Sequence, residues 1–134
     1  MKAAVYRRHR AHHEVHADAM TEGLRRHGIE VSFFDGIPDP AANFLVGWSW
    51  RVGARLRTEG DRRPYLTMER GYVGNRFEWT SLGWDGLNGR ARFPEVQDSG
   101  QRFWSNFGDL VCEWERFDGY ALVIGQVEGD MALH

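Results

Sequence analysis

The hydrophobic pattern of this chain changes period at its turn residues, and those changes predict the elements. Residues 2–7 (KAAVYR) form a short apolar run that ends in basic residues, a first strand. Across 13–27 the period becomes helical: Val15, Ala19, Met20 and Leu24 fall on one face, and Gly28 stands where a C-terminal cap belongs. Residues 29–34 (IEVSFF) are β-branched and aromatic, a second strand stopped by Asp35-Gly36 and Pro38-Asp39-Pro40. Residues 43–47 (NFLVG) predict a third strand. Residues 50–59 predict a short helix, with Val52 and Leu56 on one side and Arg51 and Arg55 on another. Residues 65–69 (YLTME), entered through Pro64, predict a fourth strand.

Strand, helix, strand, repeated once, predicts an α/β fold with a mainly parallel sheet and crossover helices. In such sheets the loops leaving the carboxyl ends of the strands line the ligand crevice. Those loops are the His/Arg segment after Arg7, the Gly47-Trp48-Ser49-Trp50 turn, and residues 69–75. Residues 71–92 are rich in glycine and aromatics without a sustained period, which fits a tight loop or short irregular strands. From Ser99 a helix is predicted, because Phe103, Trp104, Phe107, Leu110, Val111 and Trp114 form an apolar stripe, with Cys112 on it as a core residue. Residues 120–127 (YALVIGQV) predict a buried strand. There is no internal repeat, low-complexity tract or linker.

Composition narrows the class. The 134 residues suit one domain, and 42% hydrophobic with 27% charged excludes intrinsic disorder. No run approaches the roughly 20 apolar residues of a membrane helix. The first residues turn polar too soon for a signal peptide. A single Cys112 forbids an internal disulfide and predicts a reducing, cytoplasmic compartment. A net charge of -2 argues against a nucleic-acid binder held by bulk positive charge. Yet Lys2 is the one lysine among 17 basic residues, the rest being arginine. Arginine's planar fork matches carboxylate and phosphate, and Arg7, Arg8, Arg10 and then Arg51, Arg55, Arg57 are clustered. Either coding bias or a local anion site accounts for them.

Four constellations carry candidate chemistry. His9, His12, His13 and His16 share a face if helical. They read as a solvated basic loop, as an anion-binding loop in which Arg8, Arg10 and His12 hold phosphate, or as a zinc chelate opposed by the neighbouring arginines; no metal is expected. Glu69-Arg70-Gly71-Tyr72 ends the fourth strand, where a carboxylate faces the crevice as base or anchor, or else pairs with an arginine to order the loop. In residues 81–89, Asp85-Gly86 and Asn88-Gly89 are turn pairs, and Trp84 beside them is either a core residue or a platform for a sugar or base. Ser81 and Ser99 lack the context of a nucleophile elbow. Finally, Gly125-Gln126-Val127-Glu128-Gly129-Asp130 is a strand running into a polar glycine loop, a common setting for nucleotide contacts or simply a turn.

Two of these segments resemble the capsular-polysaccharide biosynthesis transferases that use CMP-Kdo, a GT-B glycosyltransferase-like family, and related phage and bacterial proteins. Glu69, Gly71 and Tyr72 match the family's Glu-Asp-Gly-Phe motif. Gly125, Gln126, Val127 and Asp130 match its Gly-Gln-Val-x-x-Asp motif, and Gly47-Trp48 resembles its Trp-Gly element. The likeness covers residues 46–130. It implies a Rossmann-like three-layer domain, the N-terminal half of a GT-B fold, with residues 120–134 opening a second half. It implies Glu69 as the catalytic group, with Arg70, Arg76, Trp84, Asp85, Asn88, Gln126, Glu128 and Asp130 on substrate. A sugar nucleotide is the implied co-substrate, with a saccharide or phosphorylated small molecule as partner and no further cofactor. Arg70 stands where the family carries an Asp, and the donor-binding half is expected elsewhere, the chain being a truncated product, one member of a split pair or inactive. The alternative is a non-catalytic binding or assembly module on the same scaffold, self-associating through an apolar face. A histidine-based metallohydrolase ranks last.

Overall fold

The computed structural model describes residues 1–8, 10–93, 95, 100–113 and 119. The chain divides into two units, Met1–Glu95 and Val96–His134. The first contains β1 (Lys2–Tyr6), α1 (Ala11–Arg26), β2 (Glu30–Phe34), β3 (Phe44–Trp48), α2 (Trp50–Thr58), β4 (Tyr65–Arg70) and β5 (Thr80–Trp84). The strands form one sheet in the order β2-β1-β3-β4-β5. The first four are parallel, as the doubled strand-helix-strand pattern predicts.

Alternation along the strands builds two cores. Ala3, Val5, Phe44, Val46 and Met68 face one way and pack with Ala17 and Leu24 of α1. Ala4, Leu45 and Tyr65 face the other way and pack with Leu56 of α2. The result is a three-layer, Rossmann-like α/β domain. Both helices stop by the same local device. Gly28 (φ 70) and Gly60 (φ 95) take the left-handed conformation that only glycine adopts without strain. The following amides then reach back, Ile29 N–H to the Leu24 carbonyl at 3.0 Å and Asp61 N–H to the Leu56 carbonyl at 2.9 Å.

The glycine-rich segment resolves into a fifth strand. β5 returns antiparallel beside β4, with Glu69 opposite Ser81 and Thr67 opposite Gly83. Its period is hidden in the sequence because one face carries Ser81 and Gly83, and because Leu82 on the other face is exposed.

In the second unit, α3 spans only Gln101–Phe107, followed by a 3₁₀ turn at Gly108–Leu110. The long apolar helix expected from Ser99 is therefore corrected. Phe107 leaves helical geometry at φ -135, next to helix-weakening Gly108. Phe103, Trp104, Leu110 and Val111 are exposed. Cys112, expected in the core, is exposed and lies beyond the helix. Ser99, Trp114 and the strand expected at 120–127 fall outside the described residues.

Candidate functional site at the carboxyl edge of the sheet

β1 and β3 are parallel neighbours whose chains leave in opposite directions, β1 through α1 to β2 and β3 through α2 to β4. That divergence is the topological switch point at which doubly wound sheets hold their ligands. Its walls are Arg7, Arg8 and Arg10, before α1, and Ser49, leading into α2.

Ser49 has φ 67 and ψ 145, a backbone region that is essentially glycine's. Three contacts hold it there. Its amide donates to the Met68 carbonyl at 2.9 Å, its carbonyl accepts from the Tyr65 hydroxyl at 3.2 Å, and its Oγ accepts from the Arg51 amide at 3.3 Å. The Tyr65 ring fits only because Gly47 and Gly53 lack side chains; a Cβ would lie 2.5 Å from the Tyr65 hydroxyl at Gly47 and 2.7 Å from Cδ1 at Gly53. Burial of that phenol pushes its pKa up, so it acts as a donor throughout the ordinary pH range. Sequence reasoning placed this turn on the rim but missed the strain at Ser49. The available signal was a Gly-x-Ser triplet between a strand and a helix.

Glu69 and Arg70 end β4 and, as successive strand residues, project to opposite faces. Glu69 shares the α2 side with Tyr65 and Thr67. It is half-buried, its Oε1 accepts from the Arg70 amide at 3.2 Å, and no cation pairs with it among the described residues. Arg70 lies on the α1 side with Met68, its guanidinium 5.1 Å from the Phe77 ring centroid. The loop from β4 to β5 is closed by the Gly71 amide on the Trp79 carbonyl at 2.7 Å. Asn75 braces it by accepting from the Phe77 amide at 3.0 Å and donating to Glu78 Oε1 at 2.8 Å. Tyr72, Arg76 and Phe77 stand exposed on this loop.

On the α1 side, His13 stacks on Trp48 with ring centroids 4.6 Å apart and planes 25° apart. His16 lies against the same indole at 5.1 Å, and its Nδ1 is 2.6 Å from Thr80 Oγ1. His16 is 4% exposed. Hence the histidine segment is not a solvated loop throughout: two of its members pack against β3 and β5. His12 lies on α1, and His9 falls outside the described residues. Arg7 pairs with Asp18 at 3.0 Å. Arg8 and Arg10 are exposed and have no carboxylate partner among the described residues. Arg51 and Arg76 are likewise exposed, and half-buried Arg70 also has no carboxylate partner among the described residues. Among the described residues no group of three or more His, Cys, Asp or Glu side chains could hold a metal ion.

The third constellation lies elsewhere. β5 runs antiparallel, so Trp84, Asp85 and the turn carrying Asn88 come out at the opposite, amino edge of the parallel strands. Trp84 packs edge-on against Phe44 at 5.6 Å. Asp85 accepts from Arg57 at 2.6 Å, from the Tyr65 amide at 3.0 Å and from Arg92. Burial works to raise its carboxyl pKa; the Tyr65 amide, Arg92 and Arg57 together outweigh burial and hold it below the usual carboxylate value. On the same edge Arg63 grips Asp61 at 2.6 Å and depresses that carboxyl too. The structure thus gathers Glu69, Arg70 and Arg76 with Arg8 and Arg10 at one edge, and sets Trp84 and Asp85 at the other. Gln126, Glu128 and Asp130 fall outside the described residues.

Comparison of the chain with protein-family models, curated proteins and solved structures returned no match. Among the described residues no helix is long and apolar enough to cross a membrane.

Proposed function

We propose that this chain is a glycosyltransferase-like domain, the acceptor-side half of a sugar-nucleotide-dependent transferase. One observation carries the reading: among the described residues Glu69, near the end of β4, is a half-buried carboxylate with no paired cation, beside a rim where several arginines have no carboxylate partner. Acid and cations sharing an edge without neutralising one another suit a substrate that brings both a hydroxyl and an anion. Glu69 accepts the proton of the acceptor hydroxyl as its oxygen bonds to the anomeric carbon. The sugar–phosphate bond breaks, the electron pair leaves with the nucleotide phosphate, and the arginines stabilise that charge. Arg70, in the position of the family's Asp, takes the part of an anion ligand. The proposed setting is the cytoplasm, where Cys112 stays reduced.

The test is mass-spectrometric detection of transfer from CMP- and UDP-sugars to oligosaccharides, with the full chain alone and with the protein encoded beside it. Product that disappears with Glu69→Gln supports the reading; no product and no saccharide or sugar-nucleotide binding in either mixture overturns it. The exposed Tyr72, Val73 and Phe77 on a braced loop favour a second reading, a non-catalytic binding or assembly module. Sedimentation as a clean monomer at high concentration removes its self-associating form.

A further inference from the structure

We infer that β2 is a dimer edge, on which a second copy of this chain adds its own β2 antiparallel about a two-fold axis at Ser32. The two ends of the sheet differ. At one, the last residue of β5, Trp84, exchanges both backbone hydrogen bonds with Arg92, at 3.3 and 2.9 Å. At the other, β2 is last in the strand order, and no backbone bond from a described residue reaches its outer side. The inward bonds fix which groups point out. The Glu30 amide donates to the Met1 carbonyl at 3.0 Å, and the Phe34 carbonyl accepts from the Arg7 amide at 2.8 Å. In a parallel ladder alternate residues bond to the same neighbour. Glu30, Ser32 and Phe34 therefore bond to β1, and the amides and carbonyls of Val31 and Phe33 face out.

That row is complementary to itself. With Ser32 on the axis, Val31 of one copy lies opposite Phe33 of the other, and every outward N–H meets a C=O. A register centred on Val31 would need the Ile29 amide, which already donates to the Leu24 carbonyl at 3.0 Å. One centred on Phe33 would set Asp35 opposite Val31, an acid against an apolar residue. The side chains agree with the axis at Ser32. Val31 packs on the α1-side core, and Phe33, on the same face, is 42% exposed with the Arg7 guanidinium 5.1 Å from its ring centroid. An aromatic residue opposite a β-branched one is a favourable cross-strand pair. The usual guards of an edge are missing here, since β2 carries no proline, lysine or bulge. Its one charge, Glu30, is paired within the same chain by Lys2 at 2.7 Å. A second copy is thus the occupant that matches this edge at each outward group, and the two-fold closes the assembly at two chains.

The experiment is sedimentation of the full chain across a concentration series, joined to cysteine cross-linking in a Cys112→Ser background. The mass should rise about twofold with concentration and stop there. Facing residues of a non-hydrogen-bonded antiparallel pair have Cα atoms about 4.5 Å apart, within the disulfide range of about 4.4–6.8 Å. Ser32→Cys should therefore give a covalent dimer on mild oxidation. Glu30→Cys, whose mate would lie roughly 14 Å away along the strands, should not. Val31→Pro removes an outward amide and no inward bond, and Phe33→Lys puts a charge on the edge. Each should sediment as a monomer where the wild type is a dimer. The inference is overturned if the wild type stays monomeric, if Ser32→Cys links no better than Glu30→Cys, or if a folded Val31→Pro dimerises like the wild type. A monomer whose Val31 and Phe33 amides are protected from hydrogen exchange would show another part of the chain on this edge, and that also overturns it. Should Val31→Pro fail to fold, the cysteine comparison decides alone. None of these results bears on the transferase reading, since Glu69 lies on β4 and not on β2.

Discussion

Asp85 joins β5 to β4 at the edge away from the crevice, and its removal tests whether that edge is purely structural. Its side chain is 14% exposed, against 26% for Arg57 and 75% for Arg92. Asp85→Asn keeps the left-handed backbone (φ 57), which Asn tolerates, and keeps an oxygen where Arg57 and the Tyr65 amide donate. What it loses is charge. Charge-assisted bonds contribute about 1.5–3 kcal/mol and neutral ones about 0.5–1.5, so the Tyr65 bond loses about 1–1.5 kcal/mol, while the Arg57 bond, still charged on one side, loses its ion-pair attraction of about 0.2–1 kcal/mol. The solvated Arg92 contact adds about 0–1 kcal/mol. Asp85→Asn should therefore cost about 2 kcal/mol. Asp85→Ala leaves the buried Tyr65 amide without its acceptor and strains the backbone, for a total of about 4 kcal/mol. Urea unfolding followed by circular dichroism reads both. With a slope of about 1–2 kcal/mol/M the midpoint falls by roughly 1–2 M for Asn and further for Ala. A loss below about 0.5 kcal/mol for Asp85→Ala would refute the reasoning, as would an Ala variant no worse than Asn. Neither variant should alter saccharide or sugar-nucleotide binding at the opposite edge.

Further outcomes are open to measurement. The depressed carboxyl pKa values of Asp61 and Asp85 mean that both contribute stability above the unfolded value of about 3.9, lost as pH falls through their folded values; thermal unfolding should drop steeply below about pH 4, and less so in Asp61→Asn. Gly53→Ala pushes a methyl into the Tyr65 ring and should cost about 1–3 kcal/mol in chemical unfolding, most of it recovered in a Gly53→Ala, Tyr65→Leu double variant. Ser49→Gly relieves the strained backbone while losing a cap worth only tenths of a kcal/mol against Gly, so its stability should equal or exceed wild type; Ser49→Val should lose about 2 kcal/mol. Glu69→Gln should abolish transfer while leaving thermal unfolding near that of the wild type, because the amide oxygen can still accept from the Arg70 amide.

Much of the site's location was legible because its signals are local. The apolar runs at 2–7 and 65–69 differ from β1 and β4 by one residue at one end, and the run at 43–47 differs from β3 by one residue at each end. Gly28 marked a helix end that the backbone confirms with a left-handed residue. Strand, helix and strand in sequence imply parallel neighbours, and so the carboxyl-edge loops, before any coordinate is known. The apolar stripe at 103–114 shows the weakness of the same logic. Its spacing is helical, yet Phe103 and Trp104 are exposed and the helix ends at Phe107, because periodicity reports a capacity for burial and not a partner to bury against.

The sequence by itself determined β1 to β4 with α1 and α2 between them, the mainly parallel character of the sheet and the cap at Gly28, since each depends on residues within a turn or a pleat of one another. Only tertiary structure decided which polar residues meet. An antiparallel β5 carries Asp85 to one edge and leaves Glu69 at the other. Strand alternation divides Glu69 from Arg70, though they are neighbours in the chain. Packing of α1 on the sheet draws His13 and His16 onto Trp48, some thirty residues away. Those pairings follow from long-range register, in which a shift of one residue reverses every side chain, and no short window of sequence contains it.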